Sequence, residues 1–189
     1  MSHRLLNFKA KLIIFNRKII FVLVLVLIIA GGVFYILSSK RCPVQAEERI
    51  IRGSSLSPLI ESGDTVKVLF GYYNCHEIKR NDVVAYHYAG NKEPLIKIVK
   101  GVRGDKFELS ETDRGWNILI NGKILKNSEG NPYLVTGKSY EMLSLYEKDY
   151  GKSLLENTYL ILGNIVQGSL DSTHFGLIDK SDILGKVEY

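Results

Sequence analysis

A chain of 189 residues, 46% of them hydrophobic, can bury one modest core beside a single anchoring segment and has no room for a second enzyme. Its formal charge of +5 would suit a nucleic-acid binder, but Arg4, Lys9, Lys11, Arg17, Lys18, Lys40 and Arg41 flank one long apolar run and supply much of the excess. The basic residues therefore point to a lipid bilayer, and no nucleic-acid partner is expected.

No charged residue stands between Lys18 and Lys40. A helix needs about 20 apolar residues to cross a bilayer core, so residues 19–39 read as a transmembrane anchor behind a basic cytoplasmic segment, 1–18, and ahead of a linker, 40–48. A cleavable signal peptide has an apolar region of only about 7 to 15 residues with a small-x-small site behind it. Here Lys40-Arg41-Cys42-Pro43 follows, and the anchor is read as retained. Five basic residues precede the run, against Lys40 and Arg41 directly behind it. The positive-inside rule then predicts a single-pass protein of the plasma (inner) membrane, with its N-terminus cytoplasmic and residues 49–189 outside. On that side a disulfide between Cys42 and Cys75 is chemically permitted, and two free thiols fit the sequence equally well. Arg41 stands where lipid attachment to Cys42 would need a small residue, and His76 beside Cys75 has no metal-ligand spacing.

From Arg49 onward short apolar runs alternate with glycine, asparagine and aspartate, the pattern of an antiparallel, mainly β domain. Val66-Lys67-Val68-Leu69-Phe70 and Val83-Val84-Ala85-Tyr86 read as strands. Trp116-Asn117-Ile118-Leu119-Ile120 and Lys123-Ile124-Leu125 read as a hairpin, because the intervening Asn121-Gly122 readily takes the positive φ angles of a two-residue turn. Residues 127–157 are polar, tyrosine-rich and aperiodic, and are assigned to an inserted lobe, about 106–158, whose structure the sequence leaves open.

Two stretches carry chemistry. Gly53-Ser54-Ser55-Leu56-Ser57-Pro58 offers Ser55 as a nucleophile, and a serine hydroxyl needs an adjacent base to act near neutral pH. Leu95-Ile96-Lys97-Ile98-Val99 sets Lys97 inside an apolar strand, with Leu95 and Val99 on its own face and Ile96 and Ile98 on the other. Burial disfavours the ammonium form, so such a lysine can become a base. The competing readings are a turn serine, an exposed edge-strand lysine, and a serine site built on His174 and Asp171. The i, i+3 spacing of that pair in a Gly/Ser-rich loop does not favour the required orientation.

Four boxes in order resemble those of type I signal peptidases. Ser55-Leu56-Ser57-Pro58 is similar to the family's Ser-Met-x-Pro, and Arg80-Asn81-Asp82-Val83-Val84 to its Arg-Gly-Asp-Val-Val. Lys97-Ile98-Val99-Lys100-Gly101-Val102-Arg103-Gly104-Asp105 keeps the lysine, both glycines and the aspartate of Lys-Arg-Val-x-Gly-x-x-Gly-Asp. Gly163, Ser169, Asp171, Ser172 and Gly176 fall at the spacing of Gly-Asp-Asn-Arg-x-x-Ser-x-Asp-Ser-Arg-x-x-Gly. The resemblance implies a β-sheet or barrel-like signal peptidase domain behind the membrane helix. It also implies a Ser-Lys endopeptidase, with Ser55 attacking and Lys97 shuttling the proton, that removes leaders from exported preproteins with small residues at −3 and −1, close to the secretion machinery. Neither cofactor nor metal is implied. Ser169 is expected to hydrogen-bond the lysine. Asp171 would pair with an arginine in the family, but Thr173 stands at that place, leaving Asp171 a structural role through backbone hydrogen bonds. The Ser55 N–H is one oxyanion donor, and the second is open. Departures at Leu56, Ile98, Arg103, Asn164, Ile165, Val166 and Thr173 leave room for specialisation. The alternatives are a conjugative pilin-processing peptidase, whose final box Ser169 to Gly176 also matches, and an inactive membrane-tethered β module that binds peptides.

Overall fold

The computed structural model describes residues 19–35, 42–89, 93–149 and 153–189. The chain divides into two units, Met1–Arg41 and Cys42–Tyr189. In the first, residues 19–35 form a helix, α1, whose large apolar side chains, from Ile19 to Tyr35, are exposed. The remainder of the expected 19–39 span and all of 1–18 lie outside the described residues. Among the described residues no helix is long and apolar enough to cross a membrane.

The second unit is built on an antiparallel sheet of seven strands. They are β1 (Gln45–Ile50), β2 (Thr65–Phe70), β3 (Val83–Tyr86), β4 (Leu95–Gly101), β9 (Thr158–Leu162), β10 (Ile178–Asp179) and β11 (Ile183–Glu188), in the order β1-β2-β11-β3-β4-β9-β10. Among the described residues the sheet is open, with β1 and β10 at its edges, rather than closed as a barrel. Alternation decides the faces. In β2, Val66 and Val68 are buried between exposed Thr65 and Lys67. The central strands are covered on both sides: Val83, Ala85 and Ile98 join one core cluster with Leu56 and Ile60, while Val84, Tyr86 and Val99 join another with Ile161 and Ile183. β4 therefore has the double burial its sequence predicts. Each fully buried Val or Ile contributes about 1.5–3 kcal/mol, enough to hold a strand that also carries Lys97.

The inserted segment forms a second sheet from β5 (Phe107–Thr112), β6 (Gly115–Ile120) and β7 (Lys123–Ile124), with β8 (Leu134–Val135) pairing β6, followed by helix α2 (Gly137–Asp149). The β6–β7 hairpin turns through Asn121 and Gly122 at φ 53° and 73°, as its sequence predicts. Helix α2 was not legible because its inward stripe is Tyr140, Leu143 and Ser144. Only Leu143 is a fully buried apolar residue, and the Trp116–Tyr140 stack, 3.8 Å between ring centroids, covers the rest. A third core cluster, with Phe107, Ile118, Tyr133, Leu143 and Leu160, joins the lobe to β9.

Asp105 locks the turn after β4 to the hairpin. It accepts from Val102 N (2.8 Å), Asn121 Nδ2 (2.8 Å) and Arg80, whose other nitrogen donates to Lys100 O at 2.6 Å. Gly104 supplies the positive φ, 80°, that this turn needs. Cys42 and Cys75 are joined by a disulfide, with Cα atoms 5.8 Å apart, and so tie the residues before β1 to the turn that follows β2.

Candidate active site

The loop that carries Ser55 leaves β1 at Ile51 and is pinned by apolar side chains rather than by regular structure. Leu56 and Ile60 are each 2% exposed in the first core cluster, which gives the residue after Ser55 a packing task that leucine fulfils. Ser57 N donates to Ser54 O at 3.0 Å, and Leu59 N and Ile60 N both donate to Leu56 O. Ser55 is left half-buried at the top of this turn.

Lys97, 3% exposed on β4, donates from Nζ to Ser55 Oγ at 3.0 Å and to Ile96 O at 2.9 Å. Burial pushes its amine down from 10.5 to about 8, with the charge of Asp171 opposing the shift. Lys100 is also buried and lowered by burial, but its contacts are Lys126 O at 3.5 Å and the ring of Tyr133 at 5.8 Å. Depressed basicity alone does not distinguish the two lysines; the hydroxyl beside Lys97 does.

Ser169 and Asp171 are each 3% exposed. The expected bond between Ser169 and Lys97 is not made: Lys97 is committed to Ser55 and Ile96, and Ser169 Oγ is buried without a hydrogen-bond partner. Asp171 caps helix α3 (Ser172–Phe175). It accepts from Thr173 N at 3.0 Å and Thr173 Oγ1 at 2.8 Å through one oxygen, and from Gly163 N at 2.8 Å through the other. Thr173 thus partners the carboxylate where the resembled box has an arginine. His174 is exposed and its ring pairs with Thr173 Oγ1 at 3.1 Å, bonding neither Ser55 nor the Asp171 carboxylate.

Gly163 is the hub of the site. A Cβ there would meet the Ser169 side chain and lie 2.7 Å from Ser55 O, so no side chain fits. Its carbonyl accepts from Tyr133 Oη at 2.6 Å, and burial, with the nearby Asp171 charge, raises the pKa of that phenol. Tyr133 was invisible to sequence reasoning because it lies in the aperiodic lobe. Asn164, seen only as a departure from a pattern, donates from its backbone to Ser55 O at 2.7 Å.

A groove of about 840 Å³ runs past these groups, walled by β1 and by the approach to β4, and lined by Ile51, Ser55, Leu95, Lys97, Ser169 and Leu170 among others. The Arg49–Glu93 ion pair, 3.4 Å, bridges its two walls. Both side chains are exposed, and such pairs contribute about 0–1 kcal/mol, too little to bar a peptide. Among the described residues no cluster of His, Cys, Asp and Glu could hold a metal ion.

The family model for signal peptidase, peptidase S26, matches residues 17–189. Signal peptidase IB of Staphylococcus aureus is 30% identical over 149 residues, covering 74% of each chain, and signal peptidase I of Bacillus caldolyticus is 29% identical over 143 residues, covering 74% of this chain and 76% of its own. The crystal structure of a signal peptidase I from Enterococcus faecalis is 20% identical, with a TM-score of 0.43, and the match covers 60% of this chain and 98% of that one. On the extent of the family-model match and of the Staphylococcus aureus relative, the chain is a serine peptidase belonging to the signal peptidase family.

Proposed function

We propose that the protein is a membrane-anchored endopeptidase that removes leader peptides with a Ser55–Lys97 dyad. The observation that carries this reading is the 3.0 Å contact between the hydroxyl and a lysine amine held at about 8 by burial. Neutral Lys97 takes the proton of Ser55 as Oγ attacks the scissile carbonyl, then returns it to the leaving amine, and water repeats the sequence on the acyl-enzyme. The Ser55 N–H, which makes no intramolecular hydrogen bond among the described residues, is free to face the developing oxyanion. The lysine becomes an ammonium with one proton more to place, and the uncommitted Ser169 Oγ in the same groove is its acceptor. Asp171 holds Gly163, and through it the Ser169 segment, against the nucleophile loop. The leader lies extended along the free edge of β1, with its main chain adding to the sheet and small residues at −3 and −1 facing the wall.

The exposed apolar face of α1 supports the anchor reading, and the basic residues before it support a cytoplasmic N-terminus. The Cys42–Cys75 disulfide fits a domain in the oxidising space outside. In intact spheroplasts, added protease is expected to remove a tag fused behind Tyr189. A tag that yields only after lysis would put the domain on the cytoplasmic side.

Cleavage itself is tested by incubating detergent-solubilised protein with a panel of preproteins and sequencing new N-termini. Cuts behind small residues at −3 and −1 are the expected result. A folded protein that cuts no member of the panel would leave a peptide-binding module in place of an enzyme, and a cut confined to a pilin precursor would mark the specialised branch.

A further inference from the structure

We infer that Asn164 is a positioning residue for the nucleophile, and that through Ser128 it makes the inserted lobe part of the catalytic framework. The inference rests on the reading of Ser55 as nucleophile. Asn164 has no exposed surface. Its backbone N–H donates to Ser55 O at 2.7 Å, and its Nδ2 donates to Ser57 O at 2.9 Å and to Ser128 Oγ at 2.8 Å. Its Oδ1 accepts from Ser128 N at 3.0 Å. Both amide hydrogens and the side-chain carbonyl are therefore used, and the orientation is fixed by chemistry: the Ser57 carbonyl can only accept, and the Ser128 N–H can only donate.

The loop that carries Ser55 needs such a clamp. Its apolar anchors, Leu56 and Ile60, hold one side of the turn and leave the carbonyls of Ser55 and Ser57 to be held from the other. Asn164 takes both. It stands next to Gly163, whose carbonyl is held by Tyr133, a second residue of the lobe. The lobe thus reaches the nucleophile through three hydrogen bonds with the 163–164 pair, one from Tyr133 and two with Ser128, as well as through the apolar cluster beneath it.

Asparagine's two amide donors match the Ser57 carbonyl and the Ser128 hydroxyl that face it in this chain. An aspartate, the residue of the signal peptidase box at this place, has the same shape but no N–H. Ionised, it would set a carboxylate oxygen against the Ser57 carbonyl at a position with no exposed surface. Asn164→Asp is consequently a near-isosteric test that changes hydrogen bonding rather than packing.

The full chain is used, with hydrogen exchange of peptides covering 53–60 measured beside kcat and KM on a preprotein that the wild type cuts. In Asn164→Asp, exchange over 53–60 is expected to accelerate about tenfold or more and kcat to fall about thirtyfold to a hundredfold, with KM within about threefold, since the nucleophile is displaced while the groove is intact. Ser128→Ala keeps the Ser128 N–H contact, loses only the hydroxyl, and is expected to lower kcat about threefold to tenfold. Should Asn164→Asp fail to fold, Ser128→Ala decides, and wild-type kcat in it overturns the inference. So does an Asn164→Asp protein with a lowered melting temperature but unchanged kcat and unchanged exchange over 53–60. If the wild type itself cuts nothing, the exchange measurement still decides whether Asn164 orders the loop, while the dyad reading falls on its own.

Discussion

Ser55→Ala and Lys97→Ala are each expected to lower kcat by roughly four to six orders of magnitude, and the double variant to be no worse than either, because in the proposed mechanism the two side chains form one proton-transfer unit and losses within such a unit do not add. Unfolding is not expected to be the cause of the loss. Lys97 is buried on β4 with its amine depressed, so the folded state carries a desolvation penalty at neutral pH, on the order of 3 kcal/mol for a shift from 10.5 to about 8. Removing the amine relieves that penalty and offsets part of the cavity left behind. Melting curves of the variants should therefore stay near the wild type while turnover disappears. Near-normal cleavage by Lys97→Ala, with loss in His174→Ala, would transfer the base role to the histidine.

Between pH 6 and 8 the rate of cleavage is expected to climb about tenfold per unit and to level off above about 8, since only the neutral amine of Lys97 accepts the Ser55 proton. The direction follows from the cause: burial disfavours the charged form and brings the neutral one within reach of ordinary conditions, while Asp171 pulls the other way. At pH 6 the neutral fraction, and the rate with it, is on the order of one-hundredth of the plateau. Linkage gives a second, independent signature. The unfolded lysine titrates near 10.5 and the folded one near 8, so between those values the unfolded chain holds more protons and stability rises with pH. The kcat/KM profile of the wild type and of His174→Ala checks the first signature. A limb that vanishes in His174→Ala, or a flat profile, would remove Lys97 as the base.

The strands were legible where burial follows a simple period. β2 alternates, β3 is apolar throughout, β4 is apolar on both faces around Lys97, and the Asn121-Gly122 turn is specified by backbone sterics alone. Lys97 stood out for the same reason, as a charge where the pattern allows none. What the sequence hid is whatever depends on a partner distant in the chain. Helix α2 has too thin an apolar stripe to be seen without Trp116 stacked on it, and Tyr133 matters only because Gly163 comes to it. The pairing of Cys42 with Cys75 needed the β1–β2 hairpin to bring the two ends of that segment together. Asn164 read as a departure from a pattern, because its value lies in two carbonyls more than a hundred residues earlier.

The free edge of β1 has a consequence for how the molecule behaves in company. An unpaired strand edge is a template for any extended chain, including a second copy of the same strand. Two β1 strands meeting antiparallel about their middles would set Glu47 of each copy against Glu48 of the other, and like charges directly opposite one another are destabilising. A peptide without that acidic pair meets no such repulsion. The opposed Glu47 and Glu48 thus disfavour pairing of the strand with its twin relative to pairing with such a guest.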